Sequence, residues 1–414
     1  MWILFCLYCL ILILISYRIH KTWINPFTVL SAPYIVVVSL NTAWGEKMGF
    51  FKIENNGLGV IAFGLSCFFI GTMFSAFTVS RKFATVIDSD HSDQIENYNL
   101  RSMLIYSMIV SSFGIAKVAS IILRQGFLEL TREGALVSGI FGHLLLSSYP
   151  LQPILLLHWI RNKKQKAYGM SVLMTAGLLF MSFVKYHVLS YIVVCFLFLV
   201  LTVKKYLRKG TVFLVVLTVG LFIINYILGF LASNVLSSVS NEYYMQHFWK
   251  YLVGAVVNGS TYLSGRMGGD ASVAYKMMSF LFAFPNMFIQ FLTSKRVFDY
   301  IGCQYSLVSY IGEGSNVVDA ITYMYPVRGE VFEVIQFAFY HLIFGALLES
   351  IFILDVFRTT RLHISAAVIF TFFLFFSFFG TFYINSAPWE ICVYSIFFVE
   401  LFNKKARIKL KLKM

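Results

Sequence analysis

Charge is scarce in this chain. Only 13% of its 414 residues are Asp, Glu, Lys or Arg, where an ordinary soluble domain carries about 25%. Acidic side chains are the rarer kind, 19 against 33 basic, for a formal net charge of +14. So little charge excludes an ordinary soluble fold and a disordered chain. Six cysteines fall almost entirely within apolar runs, which excludes a disulfide scaffold. Cys6 and Cys9 have the CxxC spacing, but in the run FCLYCLILILI they read as small apolar side chains on adjacent helix turns. No Cys/His cluster has the spacing of zinc ligands. P-loop, GxSxG, HExxH and strand–helix GxGxxG motifs are missing, so ATP-driven transport and zinc or serine hydrolysis lose their usual signatures. The basic excess does not indicate nucleic acid, because no soluble face interleaves Lys/Arg with aromatics. Neither a cofactor nor a metal is expected.

What the chain has in abundance is hydrocarbon: 59% hydrophobic residues, 44 Phe among them, and a mean hydropathy of +0.77. The solvent for most of it must be lipid. Apolar runs able to cross about 30 Å of hydrocarbon occupy 2–17, 26–44, 57–79, 100–123, 138–160, 167–184, 187–203, 211–232, 271–292, 297–311, 331–356, 364–384 and 389–402. The first lacks a basic n-region and a small-residue cleavage site, so it reads as a span and not as a signal peptide. The expected fold is an all-α polytopic integral membrane protein, a single helical domain over 1–414 with roughly 11–13 transmembrane helices. The stretch 271–311 reads either as two spans or as two half-helices interrupted by Pro285 and Gly302. Asn385-Ser386-Ala387-Pro388 reads as a tight external turn with a helix-breaking proline.

The connections set the orientation. With Arg18 and Lys21 inside, alternate connections hold 23 of the 33 basic residues on the same side, the tail 403–414 included. That bias follows the positive-inside rule and makes the C-terminus cytoplasmic. Two sizeable loops then face outward, 233–270 and 312–330. The first carries Glu242, Tyr243, Tyr244, His247, Phe248, Trp249, Lys250 and Tyr251, then Arg266 before Gly268-Gly269-Asp270. Aromatic faces stack on sugar rings, although a membrane-interface helix is also rich in Tyr and Trp. Arg266 runs against the charge bias. The formal glycosylation sequon Asn258-Gly259-Ser260 is given no weight.

The second loop packs Glu313, Asn316, Asp319, Thr322, Tyr323, Tyr325, Arg328, Glu330 and Glu333 into a short stretch. An Arg can hold a phosphate bidentately and a carboxylate can accept a proton from an attacking hydroxyl; the plain alternative is a solvated loop with local ion pairs. Lys185 stands at an external helix junction, where it either serves a site or snorkels to the headgroups. Lys117 and Glu349 are ionisable groups within spans, and nothing in the sequence pairs them. Asp88-Ser89-Asp90 has the form of a DxD metal clamp but sits in a polar cytoplasmic loop with Asp93 and Glu96, where a solvated acidic stretch explains it better.

Four features together resemble the bacterial polysaccharide repeat-unit polymerases, the O-antigen (Wzy-type) polymerase family. These are Asn25-Pro26 opening the second span, the stretch FMSFVKYHVLSYIVVCFLFLVLTVKKYLRKG, the large external loop after the next span, and the segment Ser315–Pro326 before a long span. The chain departs from the pattern at Val327-Arg328-Gly329, where such proteins often carry an acidic-aromatic-Gly turn. The resemblance implies a metal-independent, inverting glycosyltransferase of the bacterial inner membrane. It would join polyprenyl-diphosphate-linked oligosaccharides into O-antigen or capsular polysaccharide, with a chain-length regulator as a possible partner. Under it, Arg266 and Arg328 bind the diphosphate with Lys185 as a third cation, and Asp319, Glu313 or His247 is the base. Tyr243, Tyr244, Trp249, Lys250, Asn316, Tyr323 and Tyr325 hold the sugars. The alternatives are a lipid-linked oligosaccharide flippase, a glycan ligase, and a membrane acyltransferase using His158 or His363.

Overall fold

A computed structural model describes residues 1–77, 92–130, 136, 139–182, 184–203, 206–208, 210–212, 214, 217, 220, 224, 241–263, 271–293, 295–298, 305–326, 329–357, 363–382 and 385–404. The first helix, α1 (Trp2–His20), stops where Lys21 takes a left-handed conformation and returns its N–H to Tyr17 O. Helix α2 (Pro26–Leu40) starts on an Asn25 cap whose side chain accepts from Thr28 N. Pro26 occupies the first turn, where a missing N–H costs nothing. Then follow α3 (Asn55–Ala76), α4 (Leu100–Gln125), α5 (Gly139–Ser148), α6 (Gln152–Arg161), α7 (Lys166–Met181) and α8 (Lys185–Thr202). Helix α9 (Asn241–Leu263) precedes the short α10 (Val273–Leu281) and α11 (Ala283–Thr293). A two-stranded antiparallel ribbon pairs β1 (Ser306–Leu307) with β2 (Gly314–Ser315). It leads into α12 (Ala320–Met324), α13 (Val331–Phe357), α14 (Ile364–Phe373) and α15 (Ser386–Val393).

Among the described residues, six helical stretches are long and apolar enough to cross a membrane: Trp2–His20, Pro26–Met48, Asn55–Ala76, Leu100–Gln125, Gly139–Arg161 and Val331–Asp355. Lys166–Met181, Tyr186–Thr202 and Ile364–Phe378 are shorter and also apolar. The chain is an all-α polytopic membrane protein. Most of the run 211–232 lies outside the described residues, as do Asp88-Ser89-Asp90.

Three sequence expectations need correction. The run 297–311 is not a helical span: 305–315 forms the ribbon, and Tyr305, Leu307, Tyr310 and Ile311 are exposed on it. Of the two readings of 271–311, half-helices fit, but the break falls at Phe282 and Pro285 sits inside the first turn of α11. Likewise Pro388 does not break a helix. It lies in the first turn of α15, where proline is tolerated.

The chain packs as two compact units: Met1–Ile87, Ser240–Phe357 and Phe372–Trp389 in the first; Asp88–Val239, Arg358–Thr371 and Glu390–Met414 in the second. In the first unit α3 is the spine. Gly57, Gly64 and Gly71, seven residues apart, share one face of it. A Cβ on Gly71 would strike Leu342 O, and one on Gly345 would strike Phe68 O, so the α3 and α13 backbones touch. Gly64 meets Ile321 of α12 and Gly57 meets Ser260 of α9. The face of α3 therefore holds three other helices at fixed spacing.

The second unit is knit by hydroxyls. Ser107 and Ser171 bond at 2.7 Å across α4 and α7, and Gln152 Nε2 donates to Ser107 Oγ at 2.6 Å. Gly114 lies against Leu178 at the same residue offset, so α4 and α7 run parallel. Lys117 Nζ donates to Leu136 O at 2.9 Å and lies over the Phe141 ring.

Candidate functional site

The two polar intervals singled out in the sequence meet within the first unit. Lys250 Nζ of α9 donates to Glu313 Oε2 at 2.8 Å across 63 residues of sequence, and His247 Nδ1 lies 3.9 Å from Glu313 Oε1. His247 and Lys250 stand three residues apart on one helix, so both face the same carboxylate. Glu313 is presented by the ribbon, its N–H donating to Ser309 Oγ at 2.7 Å and its carbonyl accepting from Val308 N at 2.9 Å. The three side chains are about one-fifth exposed, held in place yet open to solvent. Beside them the His247 and Tyr251 rings pack at 5.3 Å. Tyr251 lies nearly parallel to Phe379, which lies nearly parallel to Phe382.

What fastens α9 to the second interval was overlooked in the sequence. Asn258 Nδ2 donates to Ser315 O and Val317 O, both at 3.0 Å, and its Oδ1 accepts from Ser306 Oγ. Asn258 is fully buried, so the formal sequon is a structural clamp. Next to it, a Cβ on Gly259 would collide with Thr322 Oγ1 and Asp319 Oδ2. Glycine is what lets the helix pass so close.

Asp319 is not placed as a catalytic base. It is fully buried and caps α12: Oδ1 accepts from Ile321 N and Thr322 N at 3.1 Å and from Tyr34 OH at 2.9 Å, and Oδ2 from Thr322 Oγ1. Burial pushes its pKa up to about 6, opposed by these donors. Four donors are committed to this carboxylate, which gives it structural work as the cap of α12.

Tyr323 is also buried, so it does not present a face to a sugar. It lies under the ammonium of Lys276, 5.3 Å from its ring centroid. Lys276 is 1% exposed; its Nζ contacts Tyr262 OH and Tyr325 O, both at 3.3 Å, and sits over the Tyr262 ring. The Tyr325 ring packs against Phe337. Sequence spacing gave no sign of this tyrosine-lined lysine, because its partners come from two separate segments. Asn316 is exposed beside the ribbon, and Trp249 is buried on α9.

Arg266 and Arg328 lie outside the described residues. Lys185 opens α8, and Tyr243 and Tyr244 fall in the first turn of α9, but their side chains are outside those described. Among the described residues no group of three His, Cys, Asp or Glu is placed to hold a metal ion.

A half-buried carboxylate held by an ammonium, with an imidazole in reach, can accept a proton from a hydroxyl while the cations attract a phosphate oxyanion. Comparison of the chain with family models, curated proteins and solved structures gives no match.

Proposed function

We propose that this chain is a polymerase that joins polyprenyl-diphosphate-linked oligosaccharide repeat units into a surface polysaccharide at the outer face of a bacterial inner membrane. The observation that carries the reading is the Lys250–Glu313 contact, which turns two distant polar intervals into one cluster beside an aromatic wall in a membrane protein. Glu313 takes the proton of the acceptor hydroxyl as that oxygen attacks the anomeric carbon of the donor. The bond from that carbon to the diphosphate breaks, and the polyprenyl diphosphate leaves with the electron pair. Attack opposite the leaving group inverts the anomeric configuration. Lys250 and His247, with Arg266 and Arg328, stabilise the developing negative charge. Tyr251 and Phe379 offer ring faces for the sugars. The assignment to the outer face follows the positive-inside bias of the connections.

Gel analysis of surface glycan from a deletion strain and its complemented parent tests the reading. The expected result is a ladder reduced to a single repeat unit and restored by complementation. Loss of all surface glycan with accumulated lipid-linked units would instead indicate a flippase or ligase, and an unchanged ladder would remove glycan chemistry altogether.

A further inference from the structure

On α1 and α13, two ionisable side chains are buried together. His20 and Glu349, 329 residues apart, are both fully buried, and His20 Nε2 lies 2.8 Å from Glu349 Oε1. Glu349 Oε2 is buried too and has no hydrogen-bond partner. Ionisable groups at membrane depth are costly and mark functional sites by default.

The surrounding hydrogen bonds fix where the protons are. Thr28 N–H donates to Asn25 Oδ1, and Asn25 Nδ2 donates to Thr22 O, so the Asn25 amide has one orientation. The Ser16 hydroxyl donates to that same Oδ1 at 2.8 Å, which commits its hydrogen. On Ser16, His20 Nδ1 then meets two acceptors, the carbonyl at 2.8 Å and a lone pair of Oγ at 3.2 Å. Nδ1 must carry a hydrogen. In a neutral imidazole, Nε2 is then an acceptor, and it faces a carboxylate oxygen, another acceptor. The contact closes only if one further proton lies between them, on Nε2 or on Oε1.

We propose that His20 and Glu349 form a buried binding site for one proton, and that this proton ties the end of α1 to α13. When it leaves for water, two lone pairs face each other and the tie is lost. Other ionisable groups on the elements packed round the pair are Arg18 and Lys21, both exposed, with Cys6, Tyr8, Cys9 and Tyr17 on α1 and Tyr340 on α13. Tyr34 on α2 bonds Asp319, and Cys67 lies on α3. Glu333, His341 and Asp355 lie on α13, with His341 Nδ1 bonded to Phe337 O.

The test uses the full chain in lipid nanodiscs. Histidines labelled with 15N, with His20 assigned through His20→Gln, report whether Nε2 is protonated, and infrared spectra report a protonated carboxyl that Glu349→Gln removes. At neutral pH, either a protonated Nε2 or a neutral Nε2 with the Glu349 acid band supports the site. A neutral Nε2 with no such band overturns it. A second readout follows from linkage. Wherever the folded chain holds this proton and the unfolded chain has released it, raising the pH favours unfolding. The folded-to-unfolded ratio therefore falls about tenfold per pH unit until the pair deprotonates. Glu349→Gln is expected to lose that slope in detergent unfolding. An equal slope in both proteins would contradict the proposal.

Discussion

Replacing Asp319 by alanine leaves two polar hydrogens at the start of α12, from Ile321 N and Thr322 N, without their acceptor, while Thr322 Oγ1 keeps the backbone carbonyl of residue 319 at 3.5 Å. Tyr34 OH is spared, since it also reaches Ser377 O at 3.1 Å. Loss of a cap costs about 0.5–2 kcal/mol, and each buried donor left unsatisfied about 1–3 kcal/mol. Removing a carboxylate that burial disfavours recovers roughly 3 kcal/mol, given a pKa raised from 3.8 to about 6. Asparagine separates the two effects. Its Oδ1 keeps Tyr34, Ile321 and Thr322 as donors, while Nδ2 turns toward Thr322 Oγ1, which becomes the acceptor. Asp319→Asn is therefore expected to match or exceed the wild type in stability. Asp319→Ala should fall about 3 kcal/mol below Asp319→Asn, or roughly 6–12 °C in melting midpoint. Thermal unfolding in detergent, followed by fluorescence, reads the difference. If asparagine destabilises the protein as much as alanine, then the negative charge matters and not the acceptor, and the capping argument fails.

Further outcomes follow from the same packing. Because ionisation of Asp319 is harder in the fold than in the unfolded chain, its contribution to stability is full below about pH 4 and is lost as pH rises through about 6; in Asp319→Asn that dependence should vanish from a pH series of melts. Asn258→Asp should be worse than Asn258→Ala, since a carboxylate would face the carbonyls of Ser315 and Val317 that now accept hydrogen bonds; comparing yields of folded protein on size exclusion checks the order. Gly71→Val should destabilise by at least about 2 kcal/mol through overpacking, whereas Gly59→Val, with open space around it, should leave the melting midpoint within about 2 °C. Lys250→Met and Glu313→Gln should couple by roughly 1 kcal/mol in a double-mutant cycle read by chemical unfolding.

Much of the membrane architecture was legible because a span needs only length and hydropathy. Helices α1 to α4 and α13 fall within a few residues of the apolar runs that announce them. Hydropathy fails where apolar residues serve something other than a span. Tyr305, Leu307, Tyr310 and Ile311 read as lipid-buried helix but are the exposed side chains of a ribbon, and composition cannot distinguish the two. The site was half legible for a related reason. Glu313, His247 and Lys250 are polar residues in an apolar chain and stand out by type. Their pairing, the Asn258 clamp and the lysine among tyrosines depend on contacts between segments far apart in sequence. Asp319 misled because an acid in a polar segment looks the same whether it caps a helix or waits for a proton. Glu349 stood out as an ionisable group within a span, His20 did not, and only the fold brings them together.

The account rests most heavily on the cluster of Glu313, Lys250 and His247 acting on lipid-linked sugar. Purified protein in proteoliposomes, supplied with lipid-linked repeat units from its own host, tests this directly by gel and mass spectrometry. Wild-type protein is expected to make longer lipid-linked chains and release polyprenyl diphosphate, and Glu313→Gln to retain the fold but lose at least about a hundredfold in rate, the scale of a missing general base. Polymer formed at the wild-type rate by Glu313→Gln would contradict the assignment of the site, and no polymer from a folded wild-type protein would contradict the function itself.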